Sequence, residues 1–368
     1  MIYLDNAATS FPKPKSVIRE VTNCLTEYCG NPGRGSHKLA LAAADKIFET
    51  RSLISDFFGY AKCENVIFTP NATYALNLVI KGIISDKCHC IISDLEHNSV
   101  LRPLKKMADK YGVDISVFNT DIPLRESIAP LIRPDTRCII TTLCSNVTGK
   151  ILDINILSQI AKENNLKLIF DASQYAGHRD VNLNGLYFTA LCCAGHKNLF
   201  GIQGSAFAII NEHELLDTLC EGGSGIDSFA KEMPEMLPER YEAGTLSTPS
   251  IASLHAGISF LKRVGIHRVE NRINALTSLL YEELSMIPQL TVYGSENGIV
   301  SLNLKDHNSS YVSDELDKLG FATRSGFHCA PLVHEKLMTT ERGAVRVSLS
   351  YFNTIKEIHQ LCFALRHI

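Results

Sequence analysis

Several features that are typical of membrane, secreted and nucleic-acid-binding proteins are missing from this sequence of 368 residues. No apolar run reaches the length of about 20 residues that a membrane-spanning helix requires. Lysine and arginine total 36 against 39 acidic residues, so no basic excess points to nucleic acid. The first five residues show neither the charged nor the apolar region of a signal peptide, and neither repeats nor low-complexity segments are found. These absences predict a globular protein of the cytoplasm.

Cysteine, by contrast, is abundant, with twelve residues. In a chain of this size without a secretory signal, they are typical of reduced cytosolic thiols rather than of a disulfide framework. The length is too great for one small core and suits one large α/β domain with a smaller second one. With 45% hydrophobic and 20% charged residues, the composition is that of an ordinary globular enzyme.

Strand and helix patterns alternate along much of the chain, which predicts a mainly parallel sheet with helices on both faces. Helices are expected at 16–27, 39–58, 73–81, 99–111 and 154–163, and strands at 66–69, 90–93, 113–118, 138–143, 166–171 and 205–210. Two stretches rich in glycine and polar residues, 30–37 and 221–238, predict loops; the second is long enough to suggest a function. Beyond them the pattern predicts a helix from Thr248, a helix at 266–286, a strand at 299–304, a helix at 311–319 and a strand at 344–351.

Lys197 lies in a loop after an apolar run, between His196 and several glycines. A lysine that is partly removed from water has a lowered pKa and forms a Schiff base with a carbonyl group. Taken alone, a solvated lysine on a glycine-rich turn explains the pattern better. The acid that ends an upstream strand changes that balance.

Asp171 ends the apolar run 166–171, where a buried parallel strand delivers a side chain to the ligand-binding edge of an α/β sheet. A Schiff-base lysine together with such an acid is the pair that a pyridoxal phosphate enzyme requires, since the carboxylate keeps the pyridine nitrogen protonated. Asp171 by itself is as readily a helix cap or a turn residue.

Other polar residues follow predicted strands and are expected at the same edge. Asn71 and Thr73 open a helix whose N–H groups suit a phosphate, although either residue also serves as an ordinary cap. His97 is suited to stacking on a flat ring or to moving protons, and a solvated loop histidine is the alternative. Asn146 is equally an ordinary turn residue.

Two residues in the last fifty positions suggest substrate chemistry. Arg346 occupies the face of its strand opposite Val345 and Val347, where a guanidinium either binds a carboxylate in a bidentate manner or is simply solvated. Cys329 lies in a loop beside His328 and close to Arg324, and cationic neighbours lower the pKa of a thiol. An inert cysteine is the alternative, and a zinc site at His328, Cys329 and His334 lacks a supporting fourth ligand.

The motifs together resemble the class V aminotransferase family of fold-type I pyridoxal phosphate enzymes, and within it the cysteine desulfurases and the similar selenocysteine lyases. The resemblance spans nearly the whole chain. It is carried, in the family's order, by YLDNAA at 3–8, EH at 96–97, SNVTG at 145–149, DASQ at 171–174, GHK at 195–197, RYEAGT at 240–245, RSGFHCA at 324–330 and the segment 346–353.

The resemblance implies a division of the chain and a role for each matched residue. The division is an arm at 1–15 that packs with the small domain, a large pyridoxal phosphate domain at 16–248, and a linking helix with a small C-terminal domain at 249–368. Lys197 would form the Schiff base, His97 would stack on the ring and handle protons, and Cys329 would be the nucleophile. The other implied cofactor ligands are Asp171, Gln174, Ala72, Thr73, His196, Gly244 and Thr245.

The same resemblance implies the substrate and the partners. Asn146 and Arg346 would bind the carboxylate of L-cysteine, with Arg324, His37 and Ala8 completing the substrate site. Gly244 and Thr245 match a segment that reaches the phosphate of the other subunit, which implies a homodimer with shared active sites. Sulfur would be held as a persulfide on Cys329, leaving L-alanine, and would pass to an acceptor thiol or protein, as in iron–sulfur cluster assembly.

Two departures from the family pattern leave alternatives open. Ala194 stands where the family commonly has serine or threonine, which removes one phosphate hydrogen bond at a cost of about 1 kcal/mol. The short loop around Cys329 resembles the branch that works with a dedicated acceptor. Cysteine desulfuration has three alternatives. They are selenocysteine cleavage, a different pyridoxal phosphate reaction that needs Lys197 but not Cys329, and a catalytically silent scaffold.

Overall fold

Strands and helices alternate along most of the computed structural model, which describes residues 1–33, 35–211, 215–226 and 228–368. Arg34 and Asp227, within the two predicted loops, lie outside the described residues. The strands are β1 (Ile2–Tyr3), β2 (Val66–Thr69), β3 (His89–Ser93), β4 (Asp114–Phe118), β5 (Thr136–Thr142), β6 (Lys167–Asp171), β7 (Ala190–Ala194), β8 (Ala206–Ile210), β9 (Leu290–Glu296), β10 (Ile299–Leu304), β11 (Phe321–Ala322), β12 (Arg324–Gly326) and β13 (Ala344–Ser348). The helices are α1 (Lys15–Asn23), α2 (Lys38–Phe57), α3 (Ala72–Ile83), α4 (Asn98–Tyr111), α5 (Leu124–Ile128), α6 (Ile154–Glu163), α7 (Thr248–Val264), α8 (Ile266–Ser285), α9 (Ser309–Lys318), α10 (Pro331–Lys336) and α11 (Ile355–Leu365).

The larger sheet has the strand order β2-β8-β7-β6-β5-β3-β4. Strands β3 to β7 pair in parallel, whereas β8 is antiparallel to both of its neighbours. The connection from β7 to β8 is too short to hold the crossover helix that a parallel pair requires, so the chain turns back directly. The prediction of an α/β fold with a mainly parallel sheet is confirmed.

Both faces of this sheet are covered, which explains the continuous apolar runs in its strands. In β6, Leu168 and Phe170 join the core on one face, where α6 contributes Leu157. Ile169 points to the core on the opposite face, together with Leu76 of α3. A strand buried on both faces carries no alternating pattern, only an unbroken hydrophobic one.

A smaller antiparallel sheet, with the order β12-β13-β10-β9, forms a separate layer near the C-terminus. Its core side packs Leu302 and Val347 against Leu280 of α8 and Leu361 of α11. The N-terminal segment packs beside this layer: β1 pairs in parallel with β11 in a separate two-stranded sheet, and Asp5 forms an isolated bridge with Ser348 of β13. Strand β13 ends at Ser348 rather than at 351, and the sequence did not predict β9 or α11.

The helices begin and end close to the predicted positions, and their caps explain several of these boundaries. Asp153 caps α6 through the N–H groups of Asn155 and Ile156, and Thr354 and Glu357 form a capping box at α11. The predicted helix 16–27 is divided, because α1 passes into a π-helical turn at residues 24–28. Within the described ranges, no helix combines the length and the apolar character needed to cross a membrane.

The carboxyl edge of the larger sheet gathers the predicted functional residues. Strands β2, β3, β5, β6 and β7 run in the same direction and end there. The residues that directly follow these strands are Asn71 to Thr73, Glu96 and His97, Asn146, Asp171 itself, and His196 with Lys197. Ligands of open α/β sheets bind at this edge, so the topology places the candidate site.

Candidate active site

A cavity of about 220 Å³ lies at this edge, between the larger sheet and the small antiparallel sheet. Most residues predicted for the site line it: Ala8, Ala72, Thr73, His97, Asn146, Asp171, Gln174, His196, Lys197, Arg324 and Arg346. These residues come from distant parts of the chain. The structure therefore brings together the greater part of the set that the sequence predicts.

Lys197 and Asp171 are presented by neighbouring parallel strands. Asp171 ends β6 and is 6% exposed, and its Oδ1 accepts a hydrogen bond from the Ser173 N–H at 2.9 Å. Lys197 lies in the loop after β7, where Ser10 Oγ donates to its carbonyl oxygen at 2.8 Å. Burial lowers the pKa of Lys197, and the charge of Asp171 opposes that change only in part. The Lys197 amine is thus easier to deprotonate than a surface lysine.

His97 is held as a neutral imidazole of defined orientation. It caps α4, and its Nδ1 accepts a hydrogen bond from the Ser99 N–H at 3.0 Å, which leaves the proton on Nε2. Burial, followed by the charge of Lys197, lowers the pKa of His97 to about 4. A neutral ring facing the cavity suits stacking on an aromatic ligand.

One end of the cavity is suited to an anion. Helix α3 begins at Ala72, so its first N–H groups point toward this end without partners inside the helix. Asn71 caps the helix by accepting from the Tyr74 N–H at 2.9 Å, whereas Thr73 Oγ1 lies 2.7 Å from Ser99 Oγ. His196 and Ala194 complete the lining, and alanine offers no hydroxyl group there.

Two orphaned polar atoms test whether pyridoxal phosphate fits this cavity. Among the described residues, Ser173 Oγ and Gln174 Oε1 are buried without a hydrogen-bond partner. Gln174 Nε2 donates to the Ala7 carbonyl oxygen at 2.8 Å, which orients the amide so that Oε1 is left to accept. Buried polar groups are nearly always paired, so the cavity fits a ligand that carries its own donors beside Asp171 and Lys197.

The opposite end of the cavity is cationic. Arg346 on β13 is 1% exposed and forms an ion pair with Asp5 at 2.8 Å. Its Nη1 donates to the Asn146 carbonyl oxygen at 2.9 Å. Arg324 on β12 faces Arg346 directly in the antiparallel register. Two guanidinium groups with one carboxylate leave a site that favours a further anion.

The Cys329 loop borders this cationic end and is fixed by hydrogen bonds to its own carbonyl oxygens. Asn146 Nδ2 donates to the His328 carbonyl oxygen, and the Asn98 N–H donates to that of Cys329, both at 2.7 Å. His328 and Cys329 both have positive φ angles, 48° and 57°, so the chain turns sharply and leaves Cys329 exposed while His328 lines the cavity.

The expectation that His328 is a cationic neighbour of Cys329 is wrong. Its Nε2–H donates to the Ala344 carbonyl oxygen at 3.1 Å, and burial lowers the pKa of His328 to about 2. A neutral ring does not stabilise a thiolate as a cation does.

Besides the exposed Cys329, three predicted residues lie outside the cavity. Gly244 and Thr245 are exposed and line a second hollow of about 280 Å³, together with Phe48 and residues 31–33. His37 is exposed and caps α2, accepting from the Ala40 N–H at 3.3 Å. A single chain therefore does not bring these three residues to Lys197.

Several residues at or beneath the site were not predicted from the sequence. Ser99 connects Thr73 to His97, and its position two residues after a capping histidine was the available signal. Cys144 lines the cavity, and burial raises the pKa of its thiol to about 12. Glu96 is completely buried beneath the sheet edge, although the motif containing His97 includes it.

Comparisons with known proteins agree with this geometry. The aminotransferase class-V family profile matches residues 2–361. A probable cysteine desulfurase of Methanothermobacter thermautotrophicus is 30% identical, over all of this chain and 94% of its own length. A cysteine desulfurase of Yersinia pestis is 29% identical, over 100% and 93% of the two chains. The solved apo structure of a cysteine desulfurase from Thermococcus onnurineus superposes with a TM-score of 0.91 at 30% identity, covering 100% of this chain and 94% of that one.

The family match, the relatives and the cavity lead to the same conclusion. The family uses pyridoxal phosphate, and the lysine, the strand-end acid and the orphaned acceptors of the cavity fit that cofactor. The chain belongs to the class V aminotransferase family of pyridoxal phosphate enzymes and, within it, to the cysteine desulfurases.

Proposed function

We propose that this enzyme converts L-cysteine to L-alanine, holds the sulfur as a persulfide on Cys329 and passes it to an acceptor. The observation that carries the proposal is the position of Cys329. It follows His328, which lines the same cavity as Lys197 and Arg346. A thiol at the rim of a site with an amine and a carboxylate-binding end suits attack on the side chain of a bound amino acid.

Pyridoxal phosphate, when bound, supplies an aldehyde for a lysine and a ring that accepts electrons from the α-carbon of the substrate. Lys197 would hold the aldehyde, Asp171 the pyridine nitrogen, Gln174 the ring hydroxyl, and His97 would stack on the ring. Ala72, Thr73 and His196 would hold the phosphate. Their support is that all of these residues line one cavity, with anion-binding N–H groups at one end.

The chain's own groups have distinct tasks in this proposal. Arg346 and Asn146, with Arg324 and Ala8 beside them, bind the carboxylate and orient the substrate. Lys197 Nζ, whose pKa is lowered, takes a proton from the α-carbon and returns it. The Cys329 thiolate attacks the substrate sulfur. The new S–S bond forms as the carbon–sulfur bond breaks, and the carbon fragment keeps the electron pair, takes a proton and leaves as L-alanine.

Release of the sulfur requires a second thiol. Cys329 is exposed, and hydrogen bonds from Asn146 Nδ2 and the Asn98 N–H restrain the loop that carries it. The acceptor thiol or protein must therefore approach the loop from outside. The twelve cysteines are all unpaired, which supports our inference of a reducing compartment, the cytoplasm.

A homodimer is part of this proposal. Gly244, Thr245 and His37 lie outside the cavity of their own chain, and we propose that they serve the site of a second copy. Large exposed apolar side chains on the adjoining helices support this: Ile18, Leu25, Leu39, Leu41 and Phe48. We also propose that residues 1–15, 16–248 and 249–368 act as arm, large domain and small domain, since separate cores lie under the two sheets.

The test is product release from L-cysteine in the presence of a reductant. We expect equal amounts of sulfide and L-alanine from the wild type. In Cys329→Ala we expect the rates of sulfide and L-alanine release to fall at least a hundredfold, while the absorbance of the lysine-bound cofactor is unchanged. Cys220→Ala, which alters another exposed cysteine, is the matched control and should behave as the wild type.

Two outcomes would contradict the proposal. If Cys329→Ala releases alanine at the wild-type rate, Cys329 is not the nucleophile, and selenocysteine cleavage or another reaction at Lys197 becomes the preferred function. If neither protein binds the cofactor, the catalytically silent alternative takes precedence.

A further inference from the structure

The guanidinium group of Arg346 is held from two sides before any substrate arrives. Nη2 donates to Asp5 Oδ1 at 2.8 Å, and Nη1 donates to the Asn146 carbonyl oxygen at 2.9 Å. Within the described part of the chain, Nε is buried without a partner. Since a guanidinium is planar, two fixed donors define the plane and the direction of the remaining N–H groups.

Asp5 is itself fixed by the backbone of the strand that carries Arg346. Asp5 forms an isolated parallel bridge with Ser348, two residues after Arg346. On either side of Asp5, the Ser348 N–H donates to the Leu4 carbonyl oxygen at 2.7 Å, and the Ala7 N–H donates to Ser348 Oγ at 2.9 Å. These contacts hold the backbone of Asp5 beside β13 and thus keep its carboxylate within reach of the guanidinium.

The charges around Arg346 suit a single carboxylate. Arg324 stands opposite Arg346 in the register of β12 and β13, so two like charges are neighbours. Burial lowers the pKa of Arg346, the charge of Arg324 adds to this effect, and Asp5 opposes both. Two guanidinium groups and one carboxylate leave one net positive charge, which one substrate carboxylate neutralises.

We propose that Asp5 is a positioning residue that holds Arg346 in the orientation required to receive the carboxylate of the amino-acid substrate. The inference rests on the proposed function, in which Arg346 binds that carboxylate. Asp5 touches neither substrate nor cofactor in this scheme and acts only through Arg346. Its effect must then be confined to ligands that carry a carboxylate.

The experiment compares two ligands that differ only in that group. L-Alanine and L-alanine methyl ester are titrated into the holoenzyme, and binding is followed by the absorbance of the cofactor. For Asp5→Ala we expect the Kd of L-alanine to rise at least tenfold and that of the ester to change less than twofold. Asp5→Asn keeps an oxygen acceptor for Nη2, so it should stay within threefold of the wild type for both ligands.

Asp5→Glu provides a second variant should Asp5→Ala fail to fold, because it keeps the charge but displaces the carboxylate by one methylene. We expect it to raise the Kd of L-alanine at least fivefold and to leave the ester unaffected. The inference is overturned if the affinity for L-alanine is unchanged in these variants. It is equally overturned if the affinities for L-alanine and for the ester fall together, which would indicate a merely structural role.

Arg346→Ala separates this inference from the function on which it rests. We expect this variant to raise the Kd of L-alanine at least as much as Asp5→Ala does and to leave the Kd of the ester unchanged. If Arg346→Ala leaves the Kd of L-alanine unchanged as well, Arg346 does not bind the carboxylate. If Arg346→Ala raises the Kd of L-alanine but the Asp5 variants do not, only the positioning role of Asp5 is wrong.

Discussion

At the residue scale, Glu96 illustrates how burial sets a protonation state. Its Oε1 accepts hydrogen bonds from Ser93 Oγ and from the Thr142 N–H, whereas Oε2 is buried without a partner among the described residues. No described cation forms an ion pair with it. Burial, with a smaller contribution from the charge of Asp171, raises the pKa of Glu96 to about 8. At neutral pH the Glu96 carboxyl group is therefore mostly protonated.

The raised pKa predicts how stability changes with pH. Between the ordinary value of about 4.3 and about 8, the folded chain keeps a proton on Glu96 that the unfolded chain releases. The stabilisation that protonated Glu96 contributes is fully present below that ordinary value and is lost as the pH rises through 8. Glu96→Gln cannot ionise. The free energy of unfolding of this variant, relative to that of the wild type, should therefore rise by up to about 1.4 kcal/mol for each pH unit across this window.

Urea unfolding of both cofactor-free proteins at several pH values from 5 to 9 measures this difference. The difference between variant and wild type should be small at pH 5 and should grow in favour of the variant toward pH 8. A difference that does not vary with pH would mean that Glu96 ionises normally.

At the scale of elements, the loop that carries Lys197 is placed by backbone packing against α7. Gly257 lies in the middle of this helix, and a Cβ atom built there would lie 2.1 Å from the Leu199 carbonyl oxygen and 3.1 Å from the Phe200 carbonyl carbon. On its other side the loop is bound by Asn198 Nδ2, which donates to the Gln174 carbonyl oxygen at 2.9 Å. The helix and the β6 edge thus enclose the lysine loop between them.

Gly257→Ala should therefore separate α7 from the lysine loop. Such overpacking costs about 1 to 3 kcal/mol of stability, and we expect the affinity for pyridoxal phosphate to fall as Lys197 shifts. The free energy of unfolding and the Kd of added cofactor measure the two effects. Gly222→Ala is the control, because the nearest atom to its added Cβ lies at an ordinary 3.5 Å. Equal behaviour of the two variants would refute the packing argument.

At the scale of the whole molecule, the candidate active site and the proposed dimer surface around Gly244 and Thr245 lie in different hollows of the chain. The hollow that contains Gly244 and Thr245 is braced by a buried ion pair, Arg51 with Glu242, at 2.8 Å. Glu242 also accepts from the Phe68 N–H at 2.6 Å, which connects this segment to β2. The rigid segment is presented outward, as the proposal of a shared active site requires.

Phe48 offers a test of the proposed dimer. It is 61% exposed on α2 and lines the hollow beside Gly244 and Thr245. Phe48→Glu should dissociate the dimer, because a charge would have to be buried in the interface. Sedimentation should then report a monomer with weakened cofactor binding. Phe363→Glu, which alters an equally exposed phenylalanine on α11, should leave the assembly intact. A dimer in both variants would place the interface elsewhere.

Local patterns in the sequence were sufficient for most of the fold. Strands β2 and β10 and helix α6 have the bounds that were predicted, because turn or capping residues flank clear apolar runs. Strand β9 was missed because its residues are mostly half-buried and show no alternation. Helix α11 was missed even though Thr354 and Glu357 form a capping box at its start.

The sequence by itself determined which side chains the proposed chemistry uses: an amine at Lys197, an acid at the end of β6, and a thiol and a guanidinium in one C-terminal stretch. These assignments rest on residue type and order, which local sequence records. Only the tertiary structure decided which charges face one another. Asp5 and Arg346 are separated by 341 positions and meet because Asp5 forms a bridge with Ser348 at the end of β13. The neutral state of His328 depends in the same way on burial, which arises from contacts between distant segments and not from neighbours in the chain.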